Sequence, residues 1–87
     1  MADVKVYVTS YCPYCVRAKA LLSRKKVAFQ EIDVTGDDAQ RDWLVETTGR
    51  RTVPQIFINN QPVGGCDDLY ALDRAGELDK LLSASPG

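Results

Sequence analysis

Two cysteines three residues apart, in Cys12-Pro13-Tyr14-Cys15, are the side chains of this chain best suited to chemistry. At i and i+3 on a helix, two side chains share a face with Cβ atoms about 5–6 Å apart. A disulfide needs roughly 3.5–4.5 Å, so a small adjustment within the first turn closes it. Position makes the two sulfurs unequal. The spacing predicts Cys12 at a helix N-cap, where unpaired backbone N–H groups and the positive end of the dipole favour thiolate. Cys15, one turn inward, is expected to be more buried and less acidic. Thiol–disulfide exchange follows, with Cys12 as nucleophile and Cys15 as resolving thiol. The competing reading of the motif is half of a structural zinc site, which needs four ligands. The chain has no His, so only Cys66 and a carboxylate are left to complete such a set.

Two further segments have the character of a binding surface. In Arg50-Arg51-Thr52-Val53-Pro54, the proline forces Val53 into an extended conformation. That leaves the Val53 backbone N–H and C=O free to pair with a peptide by strand addition. An ordinary strand-opening proline is the alternative. Gly64-Gly65-Cys66-Asp67-Asp68 reads as a glycine turn into a helix N-terminus, a ready anion site. The carboxylate of Asp67 there suits a ligand carrying both carboxylate and ammonium better than a phosphate. A plain glycine turn with Asp67 or Cys66 as N-cap is the simpler reading.

The elements that position these segments are legible from periodicity. Val4, Val6 and Val8 alternate with Lys5, Tyr7 and Thr9 as in a strand. A helix is expected from Pro13, a favourable first helical residue, with Cys15, Ala18, Leu21 and Leu22 on its apolar face. Val27 to Val34 reads as a second strand, and residues 37–48 as a second helix with Ala39, Trp43 and Thr47 on one stripe. On that stripe Trp43 is a core residue, not a ligand contact. Pro54 to Ile58 is a third strand, Asn59-Asn60 a tight turn, and Gln61 to Val63 a fourth strand that Pro62 confines to an edge. A third helix follows through Leu69 and Leu72, with Gly76 interrupting it before Leu78, Leu81 and Leu82. Residues 83–87 are expected to form a frayed tail. The order β-α-β-α-β-β-α makes the first two strands parallel and the last two an antiparallel hairpin. Ligands of such sheets sit at the carboxyl ends of the parallel strands, where Cys12 falls.

Composition narrows the function further. Eighty-seven residues suffice for one domain, and 45% hydrophobic with 26% charged residues is ordinary for a globular protein. A net charge of −1 offers no basic face for nucleic acid and no basic amphipathic segment for a membrane surface. With no secretory leader pattern and an odd number of cysteines, the chain is expected in the cytoplasm.

The three motifs in this order and frame resemble the glutaredoxin family over nearly the whole chain, Val4 to about Leu82. The stretches Arg17-Ala18-Lys19-Ala20-Leu21-Leu22, Val53-Pro54-Gln55-Ile56-Phe57-Ile58 and Gly65-Cys66-Asp67-Asp68-Leu69-Tyr70 are closest to its bacterial dithiol type. The resemblance implies a thioredoxin-like α/β fold, a four-stranded mixed sheet with three helices, and a cis Pro54. It implies glutathione as reducing co-substrate, with no tightly bound cofactor and no metal. It casts Cys12 as the thiol that becomes glutathionylated and Cys15 as its disulfide partner, with Pro13 and Tyr14 between them. Glutathione is expected along Tyr14, Arg50, Arg51, Thr52, Val53 and Pro54, its γ-glutamyl end on Gly65, Cys66 and Asp67. Disulfide-containing or glutathionylated proteins, ribonucleotide reductase among them, are the implied partners of a monomeric enzyme. In one respect the chain departs from the family. Thr9, beside Ser10, stands where the family usually has a Lys for the glycyl carboxylate, leaving that contact to Arg50 or Arg51. A fellow class of relatives carries an iron–sulfur cluster through the first cysteine, but Pro13 and Tyr14 resemble the non-cluster members.

Overall fold

The computed structural model describes residues 2–84. Its elements run β1 (Val4–Val8), α1 (Pro13–Arg24), β2 (Gln30–Asp33), α2 (Asp38–Thr48), β3 (Gln55–Ile58), β4 (Gln61–Gly64), α3 (Cys66–Arg74) and α4 (Glu77–Ser83). The four strands form one mixed sheet in the order β2-β1-β3-β4. β1 pairs parallel with β2 and antiparallel with β3, so the central strands carry the least polar sequences. Pro62 lies in β4 at the sheet edge, where its missing N–H costs no ladder bond. Asn59 and Asn60 both take positive φ, 52° and 66°, in the tight turn between β3 and β4.

Period-two alternation sends the central strands' side chains to two separate cores. Val4, Val6, Val8, Ile56 and Ile58 face α1, α3 and α4, packing on Cys15, Ala18, Leu22, Leu69 and Leu78. Tyr7 and Phe57 face the other way and pack with Val34 and with Leu44 of α2.

Three boundaries differ from the sequence reading. β2 begins at Gln30, not Val27, because Val27 belongs to the end of α1. Lys26 takes φ 58°, its N–H donates to the Ser23 carbonyl and the Val27 N–H to the Leu22 carbonyl. This is a Schellman ending, and Val27 and Phe29 pack on the larger core beneath it. On α2 the buried residue is Leu44, one position along from the expected stripe; Ala39, Trp43 and Thr47 are exposed. Trp43 remains 42% exposed, yet its ring lies 5.7 Å from Phe57 and 5.6 Å from Tyr7, so it covers the edge of the smaller core. Finally, there are four helices among the described residues, not three. Gly76 at φ 75° turns the chain after α3, and Glu77 starts a new helix. Lys25, at the end of α1, holds the two together with bonds to Asp73 of 2.6 Å and Asp79 of 3.1 Å. Of the expected frayed tail, Ser83 ends α4, whereas residues 85–87 lie outside the described residues.

Candidate active site

β1 ends at Val8, and the chain passes through an exposed loop before Pro13 opens α1 at the carboxyl end of the parallel pair. Cys12 is the N-cap, with extended backbone, and the Cys15 N–H donates to its Sγ at 3.1 Å. The sulfur thus takes one of the unpaired amides of the first helical turn, the interaction that favours a thiolate there. Cys15 is 2% exposed within the larger core, whereas Cys12 is only half-buried. The two are joined as a disulfide, with Cα atoms 5.1 Å apart. The expected asymmetry in burial is present: Cys12 is partly open to solvent and Cys15 is enclosed.

Beside Cys12 runs a groove of about 310 Å³. Tyr14, 54% exposed, makes one wall. Thr52, Val53 and Pro54 make the floor, and the Val53–Pro54 bond is cis. The Val53 carbonyl oxygen lies 3.6 Å from Cys12 Sγ. The far end is formed by Gly65, Cys66, Asp67 and Asp68 at the start of α3. Arg50 also lines the groove, but Arg51 does not: it faces a separate surface depression with Asp38, Arg41 and Asp42. Pro13 lies exposed at the start of α1 outside the groove lining, and Thr9 is likewise not among its lining residues.

Sequence reasoning passed over Asp68, which organises this end of the groove. Neither Cys66 nor Asp67 caps α3; the N-cap is Gly65. Asp68 reaches back to accept from the Gly65 N–H at 2.9 Å, and the same oxygen accepts from Arg50 at 2.6 Å. The signal was the spacing of an acid three residues inside a cap position. The Gly65 amide, followed by the Arg50 guanidinium, holds the Asp68 carboxyl below the usual carboxylate range. A depressed folded pKa means stability present above the ordinary carboxyl range and lost as pH falls through the lowered value. Asp68→Asn is therefore expected to flatten the acid limb of the stability curve below about pH 4, read by urea denaturation at several pH values.

Gly64 is required by the same arrangement. It sits at φ 108° in a bulge, where the register shifts by one residue between Ile56 and Phe57. A side-chain carbon there would come within 2.7 Å of the Asp68 Cβ. Gly64→Ala is expected to cost about 2–4 kcal/mol, from backbone strain and displaced Asp68 together, measured as a shift in the urea midpoint.

Cys66 is buried, and that burial pushes its thiol pKa up. Burial and a raised pKa both disfavour its thiolate, the form that exchanges. Among the described residues no group of three or more His, Cys, Asp or Glu is placed to hold a metal ion.

Comparison with known proteins agrees with this geometry. A sequence model of the glutaredoxin family matches residues 4–63. The chain is 58% identical over 82 residues to Glutaredoxin 3 of Escherichia coli strain K12, covering 94% of this chain and 99% of that protein. It is 57% identical over 84 residues to a glutaredoxin of Pseudomonas aeruginosa, covering 97% and 100% of the two chains. Among solved structures, a buckwheat glutaredoxin–glutathione complex superimposes with a TM-score of 0.90 at 34% identity, over 94% of this chain and 77% of that one. The solution structure of glutaredoxin from Brucella melitensis does so with a TM-score of 0.85 at 55% identity, over 94% and 89%. With its half-open Cys12 at a helix tip and its enclosed Cys15 one turn below, the chain belongs to the glutaredoxin family and is a thiol–disulfide oxidoreductase.

Proposed function

We propose that the protein reduces glutathione mixed disulfides and protein disulfides in the cytoplasm, with glutathione as its electron donor. The observation that carries this reading is the groove itself: its floor offers the Val53 backbone, whose carbonyl lies 3.6 Å from Cys12 Sγ, and its far end is the start of α3. A γ-glutamyl-cysteinyl-glycine peptide has the matching order of groups. Its cysteinyl sulfur bonds Cys12 while its backbone pairs with Val53 beside Thr52 and Pro54. Past the Gly65 turn, whose own N–H is taken by Asp68, its γ-glutamyl carboxylate meets the next amides of α3, at Cys66 and Asp67, and its ammonium faces the Asp67 carboxylate. Tyr14 flanks the sulfur. Arg50, on the groove, takes the glycyl carboxylate and shares its guanidinium with Asp68. Arg51 is turned away and contributes long-range charge only. With Thr9 in place of Lys, one exposed ion pair is missing, which weakens binding by less than about 1 kcal/mol.

The chemistry balances as two exchanges. Cys12 thiolate attacks the glutathione sulfur of a mixed disulfide, releasing the substrate thiolate and leaving Cys12 glutathionylated. A second glutathione thiolate then attacks that glutathione sulfur, giving glutathione disulfide and restoring the Cys12 thiolate. On a protein disulfide, Cys12 forms the mixed disulfide and Cys15 displaces the protein thiol, leaving the Cys12–Cys15 bond for two glutathione molecules to reduce.

The test is a comparison of electron donors on the reduced protein and a small glutathione mixed disulfide. Turnover is expected with glutathione, glutathione reductase and NADPH. Turnover with thioredoxin reductase and none with glutathione overturns the reading.

A further inference from the structure

Gln55 is out of place by ordinary rules. It is 1% exposed in the central strand β3, opposite Tyr7, on the face that otherwise carries Tyr7 and Phe57. Its Nε2 donates to the Thr52 carbonyl at 2.9 Å and lies 3.4 Å from the Thr52 hydroxyl. Its Oε1 is buried and has no partner. A buried acceptor left unpaired is a net cost to the fold, and an apolar side chain of the same size avoids it. Gln55 is thus not a residue that packing selects; its donor is what the site uses.

The use follows from peptide geometry. The Thr52 carbonyl and the Val53 N–H belong to one planar unit, trans like nearly every peptide bond; the cis bond of this loop is the next one, Val53–Pro54. In a trans unit the two groups point in opposite directions. Drawing the Thr52 carbonyl inward to Gln55 therefore aims the Val53 N–H outward, on the floor of the groove. We propose that Gln55 is a positioning residue that fixes the Val53 N–H for pairing with the backbone of the bound peptide. The unpaired Oε1 is the stability given up for that alignment.

This inference rests on the reading of the groove as a glutathione site. Gln55→Met keeps the volume, removes the donor and removes the unpaired acceptor. The expected result is a KM for glutathione mixed disulfide three- to tenfold higher, with kcat within about twofold. The rate of Cys12 alkylation stays at the wild-type value, and the urea midpoint stays or rises. A KM equal to wild type overturns the proposal. So does a lowered urea midpoint with kcat and KM both impaired, which marks Gln55 as a packing residue. If the Met variant does not fold, Gln55→Leu, which likewise has no donor, is judged by its KM in the same way. Absence of glutathione-dependent turnover in the wild type itself is the separate result that fails the site reading.

Discussion

Cys12→Ser is expected to lower glutathione-coupled turnover at least about a thousandfold while leaving the protein folded. A serine hydroxyl is un-ionised near neutrality and no side chain beside it acts as its base, so the nucleophile is lost outright. The fold has no reason to follow. Cys12 is only half-buried and lies at an N-cap, a position that serine fills well by accepting from the same first-turn amides. The fair stability reference is the reduced wild type, since the variant cannot form the Cys12–Cys15 bond. Retained turnover moves the nucleophile elsewhere. A companion measurement is the pH dependence of alkylation in the reduced wild type. The half-exposed sulfur accepting the Cys15 N–H at 3.1 Å is expected to react as thiolate well below the ordinary thiol range of about 8.5. An ordinary thiol titration there removes the electrostatic basis of the site.

How far such a site is legible in sequence depends on the distance over which its parts interact. Local rules served well for Cys12-Pro13-Tyr14-Cys15, because capping, dipole and i,i+3 spacing are all properties of one helical turn. Pro62 on an edge strand and the Asn59-Asn60 turn followed from equally local backbone limits. The misses share a different cause. Val27 and Phe29 have strand character, but they pack on the larger core in the connection between α1 and β2. The α2 stripe was displaced by one residue because Leu44, not Trp43, points into the core that Tyr7 and Phe57 build from distant strands. Arg50 meets Asp68 across 18 residues, and no periodicity predicts that pair. The same ion pair separates Arg50, drawn to the groove, from Arg51, which faces α2. What sequence reasoning supplied was the chemistry; what it lacked was the set of long-range contacts that aims the binding groups.

Cys15→Ser divides the two reactions. Cys15 is 2% exposed, so no partner protein and no glutathione reaches its sulfur directly; its only route into the chemistry is through Cys12. A glutathione mixed disulfide needs only Cys12 and a second glutathione from solution, and its turnover is expected to stay within a few-fold of wild type. A protein disulfide is different, because the mixed disulfide it forms with Cys12 must be resolved. In the wild type the resolving thiol sits one turn away at an effective concentration that millimolar glutathione cannot match. Reduction of a protein disulfide by the Ser variant is therefore expected to fall at least about a hundredfold. Raising glutathione recovers part of that rate, since an external thiol now does the resolving, and trapped covalent complex between enzyme and substrate accumulates meanwhile. The hydroxyl placed in the core costs about 1–3 kcal/mol unless it finds a backbone carbonyl, a loss that affects both reactions alike. Equal losses on both substrates would place Cys15 in the packing alone. A loss confined to protein disulfides assigns the buried sulfur its role as the resolving thiol.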